Sequence, residues 1–229
     1  MDKYEIIRRI ENFAPLETAE KWDCSGWLVE TEKCDVEKII LALTVTDNIY
    51  EQAKSLGCDM IISHHPLFNV PVKYSDIDIY CAHTNMDLAD GGTTDTLIEN
   101  LKNTGLELFG ISKDGFVRYA DTEITEEKLL EILSNISNNL RYVNIKNQKI
   151  FHKIALCAGS GAEFIYEAFK NGADAYVTGD LKFHTALECR KVVFDIGHFE
   201  SEIFAPNLLK EITQVGERGI IADEKSPFI

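Results

Sequence analysis

The sequence predicts an α/β protein made of two duplicated halves with mostly parallel sheets. Three observations carry that expectation. Short apolar runs alternate with amphipathic helical patterns. The first half recurs in the second at an offset of about 115 residues. Histidines cluster just after the apolar runs, where parallel sheets place their ligand sites.

The elements follow in order. Residues 3–13, KYEIIRRIENF, alternate apolar and charged positions at helical spacing. The runs at 38–44, 59–63 and 77–82 read as buried strands, and helical patterns occupy 47–56 and 94–104, the latter ending at Gly105. A second series has strands at 153–158, 174–178 and 191–196. Its helices are expected at 161–171, 182–190 and from about 199 onward. The stretch WDCSGWLVE at 22–30 is expected to pack against the N-terminal helix, and Thr93 or Thr94 to cap the helix that follows GGTTD. Residues 1–109 and 151–229 thus form an N-terminal and a C-terminal α/β half. The more polar 110–150, with a helical pattern near 125–136, is a small connecting segment.

The repeat is specific. IYEQAKSLGCDMIIS at 49–63 matches IYEAFKNGADAYVT at 165–178, so that Gly57 and Asp59 fall on Gly172 and Asp174. The same offset carries His83 onto His198, Asp87 onto Glu202 and His65 onto Asp180. Both halves therefore contain His-x-x-x-acid after a strand.

Composition bounds the function. A formal net charge of −15 disfavours nucleic-acid phosphates, and a small anionic substrate would need cations in its site. No apolar run approaches the ~18 residues of a membrane span, and no apolar core follows the N-terminal charges as in a signal peptide. The six cysteines contain no CxxC pair and read as reduced thiols of a cytoplasmic protein.

The chemistry gathers at SHHP and the two His-x-x-x-acid motifs. His64, His65, His83 and His198, with Asp87 and Glu202, form an imidazole-and-carboxylate set suited to zinc, iron, manganese or similar divalent ions. Placed between the halves at the carboxyl ends of the strands, so many donors fit two metal ions rather than one. Adjacent side chains of an extended chain point opposite ways, so His64 and His65 would serve different ions. His198 and Glu202 share a face if their segment is helical, although Pro206 interrupts a continuous helix there. Asp180 and His184 in GDLKFH could act as an acid/base pair or support the ligands; otherwise Asp180 caps the helix bearing His184. His152 reads as a surface residue.

SHHPLF, HTNMDLADGG, GADAYVTGDLKFH and DIGHFESE resemble the Nif-three-like family, also known as GTP cyclohydrolase 1 type 2 homologues. WDCSGWLVE resembles its Trp-Asp-Asn-x-Gly-Leu stretch, with Cys24 and Trp27 as departures. The resemblance runs in order along nearly the whole chain, making 1–229 one Nif-three-like domain in the short form without the inserted central domain. It implies a dinuclear metal centre held by His64, His65, Asp87, His198 and Glu202, with His83 close by. It also implies a ring-like homohexamer. The expected function is metal-dependent hydrolysis of a nucleotide or phosphorylated metabolite, with His83, Asp180 and His184 as catalytic candidates. A metal-binding or regulatory scaffold without catalysis is the alternative.

Overall fold

Six residues of the KIILALT run, Ile39–Thr44, form strand β2, which is buried along nearly its whole length. It pairs in parallel with β3 (Met60–His65) and, beyond it, β4 (Asp78–Cys81) follows in the same direction. Strands covered on both faces read as continuous apolar runs, which explains why these three were visible in the sequence. The computed structural model describes residues 1–228.

The chain divides into two units. Among the described residues, the first comprises Met1–Thr93 and Phe204–Lys225, the second Thr94–Ile203 and 226–228. In the first, β1 (Gly26–Val29) adds antiparallel to β4 and β11 (Gly219–Ile221) adds parallel to β2, giving the order β1-β4-β3-β2-β11. Helix α1 (Lys3–Phe13) starts where the Asp2 side chain accepts from Tyr4 N–H and buries Ile6, Ile7 and Ile10. Helix α2 (Asp47–Leu56) starts on a Thr46 cap and ends at Gly57, whose φ of 66° closes the last turn. It packs Ile49, Tyr50 and Ala53 on Ile40, Ala42, Ile61 and Ile79. The single turn α3 (Thr84–Leu88) follows β4.

In the second unit the sheet order is β5-β6-β8-β9-β10-β7. Its parallel centre is β8 (Ile150–Leu156), β9 (Ala175–Thr178) and β10 (Val192–Asp195). Antiparallel β5 (Phe109–Asp114) and β6 (Val117–Thr125) extend one edge, and β7 (Arg141–Val143) closes the other. The stretch 110–150 therefore supplies strands to this sheet, with α5 (Glu126–Ser134) among them. Helices α4 (Thr93–Asn103), α6 (Ile165–Lys170), α7 (Phe183–Glu188) and α8 (His198–Glu202) complete the series. Pro206 does not kink α8. That helix ends at Glu202, and the proline sits in the first turn of α9 (Ala205–Thr213), where no helical hydrogen bond is lost.

The duplication extends to individual atoms. Ile39, Ile40 and Leu41 pair with Met60, Ile61 and Ile62; Ile154, Ala155 and Leu156 pair with Ala175, Tyr176 and Val177, each at the same offset. Asp59 accepts from Glu37 N (2.7 Å) and Lys38 N (3.2 Å), and Asp174 from His152 N (2.8 Å) and Lys153 N (3.1 Å). Lys38 Nζ donates to the Leu56 carbonyl at 3.0 Å and Lys153 Nζ to that of Asn171 at 3.2 Å. No described helix is long and apolar enough to cross a membrane.

Candidate functional site

Each unit places candidate site residues just at or after the carboxyl ends of its parallel strands. In the first unit, His64 and His65 are the last two residues of β3, and His83 caps the start of α3. Strict pleating would send His64 and His65 to opposite faces, but at the strand end their rings converge to 5.0 Å between centroids. His83 lies 5.3 Å from His64 and 5.7 Å from His65. One donor atom from each of these three imidazoles lies within 4.8 Å of the other two. Asp87, one helical turn after His83, places Oδ1 3.4 Å from Nε2 of the fully buried His64.

The protons are arranged for ligation. His64 Nδ1 donates to the Ala82 carbonyl at 2.9 Å, which directs the lone pair of the neutral ring to Nε2. His83 Nδ1 meets the Asp23 carboxylate at 2.9 Å, with the same consequence. His65 Nδ1 lies 2.6 Å from the Thr44 hydroxyl at the end of β2. Asp87 accepts from the Thr93 hydroxyl. Asp23 also accepts from Thr84 Oγ1 (2.5 Å), Thr84 N (3.1 Å) and Ser25 Oγ (2.7 Å). Burial works against its charge, but the bonds from Thr84, His83 and Ser25 outweigh it, and the pKa falls to about 2.

In the second unit, His198 opens α8 with Nδ1 2.7 Å from Asp180 Oδ2 and Nε2 2.9 Å from Glu202 Oε2. Burial lowers its pKa, yet Glu202 and Asp180 together raise it to about 9. Asp180, in the left-handed region at φ 56°, follows β9 at the position that corresponds to His65. Its carboxylate goes to His198 and not to His184, which rides exposed on α7 with its ring edge-on to Phe183 at 5.3 Å. Nor does Asp180 cap α7, whose N-cap is Lys182 without a side-chain bond.

Gly159, which corresponds to Thr44, was not recognised as part of the site. Its φ is 66°, and a Cβ there would overlap the Glu202 carboxylate and come within 3.5 Å of His198 Nε2. Gly159→Ala is therefore expected to cost about 1–3 kcal/mol in backbone strain and to displace Glu202. Urea unfolding with metal titration checks this; unchanged metal uptake would free Glu202 of the restriction. Asp23 was likewise missed: it was read as part of a packing stretch. Trp27 of that stretch packs on α1, 6.2 Å from Tyr4, and Glu30 accepts from the Tyr4 hydroxyl at 2.8 Å. The partner of Asp23 lies 60 residues away, beyond the reach of any local spacing.

The fold and the imidazole-carboxylate clusters define an α/β protein with candidate divalent-metal ligands. A sequence model of the family described as Duf34/NIF3 (NGG1p interacting factor 3) matches residues 1–220, and the chain belongs to that family. A Clostridium perfringens protein named GTP cyclohydrolase 1 type 2 homolog is 36% identical, over 93% of this chain and 91% of its own length. Among solved structures, reduced HcgD from Methanocaldococcus jannaschii has a TM-score of 0.82 at 28% identity, covering 98% of both chains. A hypothetical protein of Staphylococcus aureus shares the fold with a TM-score of 0.84 at 23% identity, over 100% of this chain and 99% of its own.

Proposed function

We propose that the protein is a dinuclear divalent-metal hydrolase acting on a nucleotide or another phosphorylated metabolite. The observation that supports this most is the imidazole trio, in which the Ala82 carbonyl accepts from Nδ1 of His64 and the Asp23 carboxylate meets Nδ1 of His83, so that each ring carries its lone pair at Nε2, facing a cation at His64 and a proton at His83. That is the tautomer metal sites require and the supporting pattern they use. In this reading His64, His65 and Asp87 of the first unit and His198 and Glu202 of the second hold the ions, which are zinc, iron, manganese or similar. When bound, such a pair supplies Lewis acidity that polarises the scissile bond and acidifies water, and positive charge for an anionic substrate.

The chain's own residues do the rest. Asp23 holds His83 oriented, so its Nε2 can accept a proton from the attacking water and return it to the leaving group. Asp180 fixes the His198 ring through Nδ1. A ring-like homohexamer in the cytoplasm belongs to the same proposal, and sedimentation of the purified protein tests its size. The name carried by the Clostridium perfringens relative makes GTP the first substrate to try.

The purified chain is expected to bind about two divalent ions, with a large loss in His64→Ala and in His198→Ala and a parallel loss of hydrolysis across a nucleotide panel. Elemental analysis and product detection read both. Hydrolysis that survives complete demetallation discards the mechanism. Stoichiometric metal without turnover leaves a metal-binding scaffold.

A further inference from the structure

The two tryptophans are used differently. Trp27 is packed in the first unit, 5.3 Å from Tyr80 and 6.2 Å from Tyr4, with Lys3 Nζ 5.1 Å from its ring. Trp22 is 61% exposed, and its ring stands edge-on to His83 with 6.0 Å between centroids. Exposed aromatic side chains are common, and Tyr166 and Phe183 are two others in this chain. Trp22 differs in how it is held.

It sits inside a turn closed by Asp23 N–H donating to the Glu20 carbonyl at 2.9 Å. Thr84 clamps both ends of that turn: its hydroxyl accepts from Glu20 N at 2.9 Å and donates to Asp23 at 2.5 Å. Thr84 follows His83 directly, so the turn, the tryptophan and the imidazole are tied to one point. This arrangement fixes the backbone that carries Trp22 and sets its ring beside His83, yet leaves most of the ring in water, where it adds little to folding. It does prepare a flat face beside a candidate acid/base, and a preordered ring loses little entropy when a second ring stacks on it.

We propose that Trp22 is the stacking platform for the substrate, and that the substrate therefore carries a planar heteroaromatic base together with its phosphate. This rests on the proposed function for its catalytic context and narrows it: among phosphorylated metabolites, nucleotides are taken and sugar phosphates are not. Every base offers a π face, so stacking selects the class and not one base.

The test uses the full chain loaded with manganese. Tryptophan fluorescence is followed on adding GMP, UMP, guanosine and ribose 5-phosphate, and affinities are measured by equilibrium dialysis. GMP and UMP are expected to quench the wild type and ribose 5-phosphate not to. Trp22→Leu should lose the quench and weaken GMP binding about 10-fold or more, while Trp22→Phe keeps most of the affinity. Ribose 5-phosphate should bind weakly and equally to all three proteins. The proposal is overturned if Trp22→Leu binds GMP as tightly as the wild type, or if ribose 5-phosphate matches GMP. It is also overturned if Trp22→Leu changes the oligomer size, which would mean a second copy covers the ring. A protein that hydrolyses sugar phosphates with bound metal but ignores the base refutes the platform alone. One that stacks GMP yet holds no metal refutes the hydrolase alone.

Discussion

Asp78→Ala is expected to lower stability by roughly 3–5 kcal/mol, a large share of what a domain of this kind possesses. Lys3 and Asp78 are both buried, and Lys3 Nζ reaches each Asp78 oxygen at 3.3 Å. The ammonium also donates to the Thr31 carbonyl at 2.7 Å, while Thr31 N–H donates to Asp78 at 2.6 Å. Truncating Asp78 would leave a lysine charge in the core and strip a backbone donor of its partner. The contrast is Lys33–Asp59, a bridge whose lysine side chain is 56% exposed, where loss of the ion pair alone should cost far less because solvent screens it. Urea unfolding of the two charge deletions Asp78→Ala and Lys33→Met separates the cases. Equal losses would show that the buried pair is screened as well as the surface one. Double replacement of Lys3 and Asp78 by apolar residues should recover much of the deficit, since most of it comes from the unpaired charge.

Metal affinity is expected to rise about tenfold per pH unit between about 6.5 and 9 and then to level off, because a cation must displace the proton from His198. In the metal-free protein that ring lies between Asp180 and Glu202, with its pKa raised from 6.5 to about 9. A folded-state pKa above the unfolded one means protonation favours the fold. This contribution is complete below about pH 6.5 and is lost as pH climbs through about 9. Metal-free stability should therefore decline over that window, while the added stability from manganese grows. Thermal unfolding in chelator and in manganese at several pH values measures both slopes. An affinity independent of pH across this range would remove His198 from the ligand set.

Much of this molecule is written locally. The buried strands β2, β3 and β4 are continuous apolar runs, α2 carries its own cap and terminating glycine, and the repeat at a constant offset marks equivalent elements in the two units. Harder to see were β1, β5, β7 and β11. All four are edge strands; β1, β7 and β11 pair with a partner distant in sequence, while β5 folds back on β6 in a hairpin. The C-terminal β11 shows why: it completes the first sheet beside Ile39–Leu41, although the second unit intervenes in the chain.

The identity of the metal-binding candidates was decided by the sequence alone, because imidazole and carboxylate at strand ends announce themselves by type and spacing. Which nitrogen each imidazole presents was decided only by the tertiary structure. That depends on what meets the opposite nitrogen: the Ala82 carbonyl for His64, Asp23 for His83 and Asp180 for His198. Those partners lie 18, 60 and 18 residues away along the chain. Helical and strand periodicity reach only a few residues, so a hydrogen bond between distant strand ends leaves no local trace. Folding alone brings the acceptor to the proton.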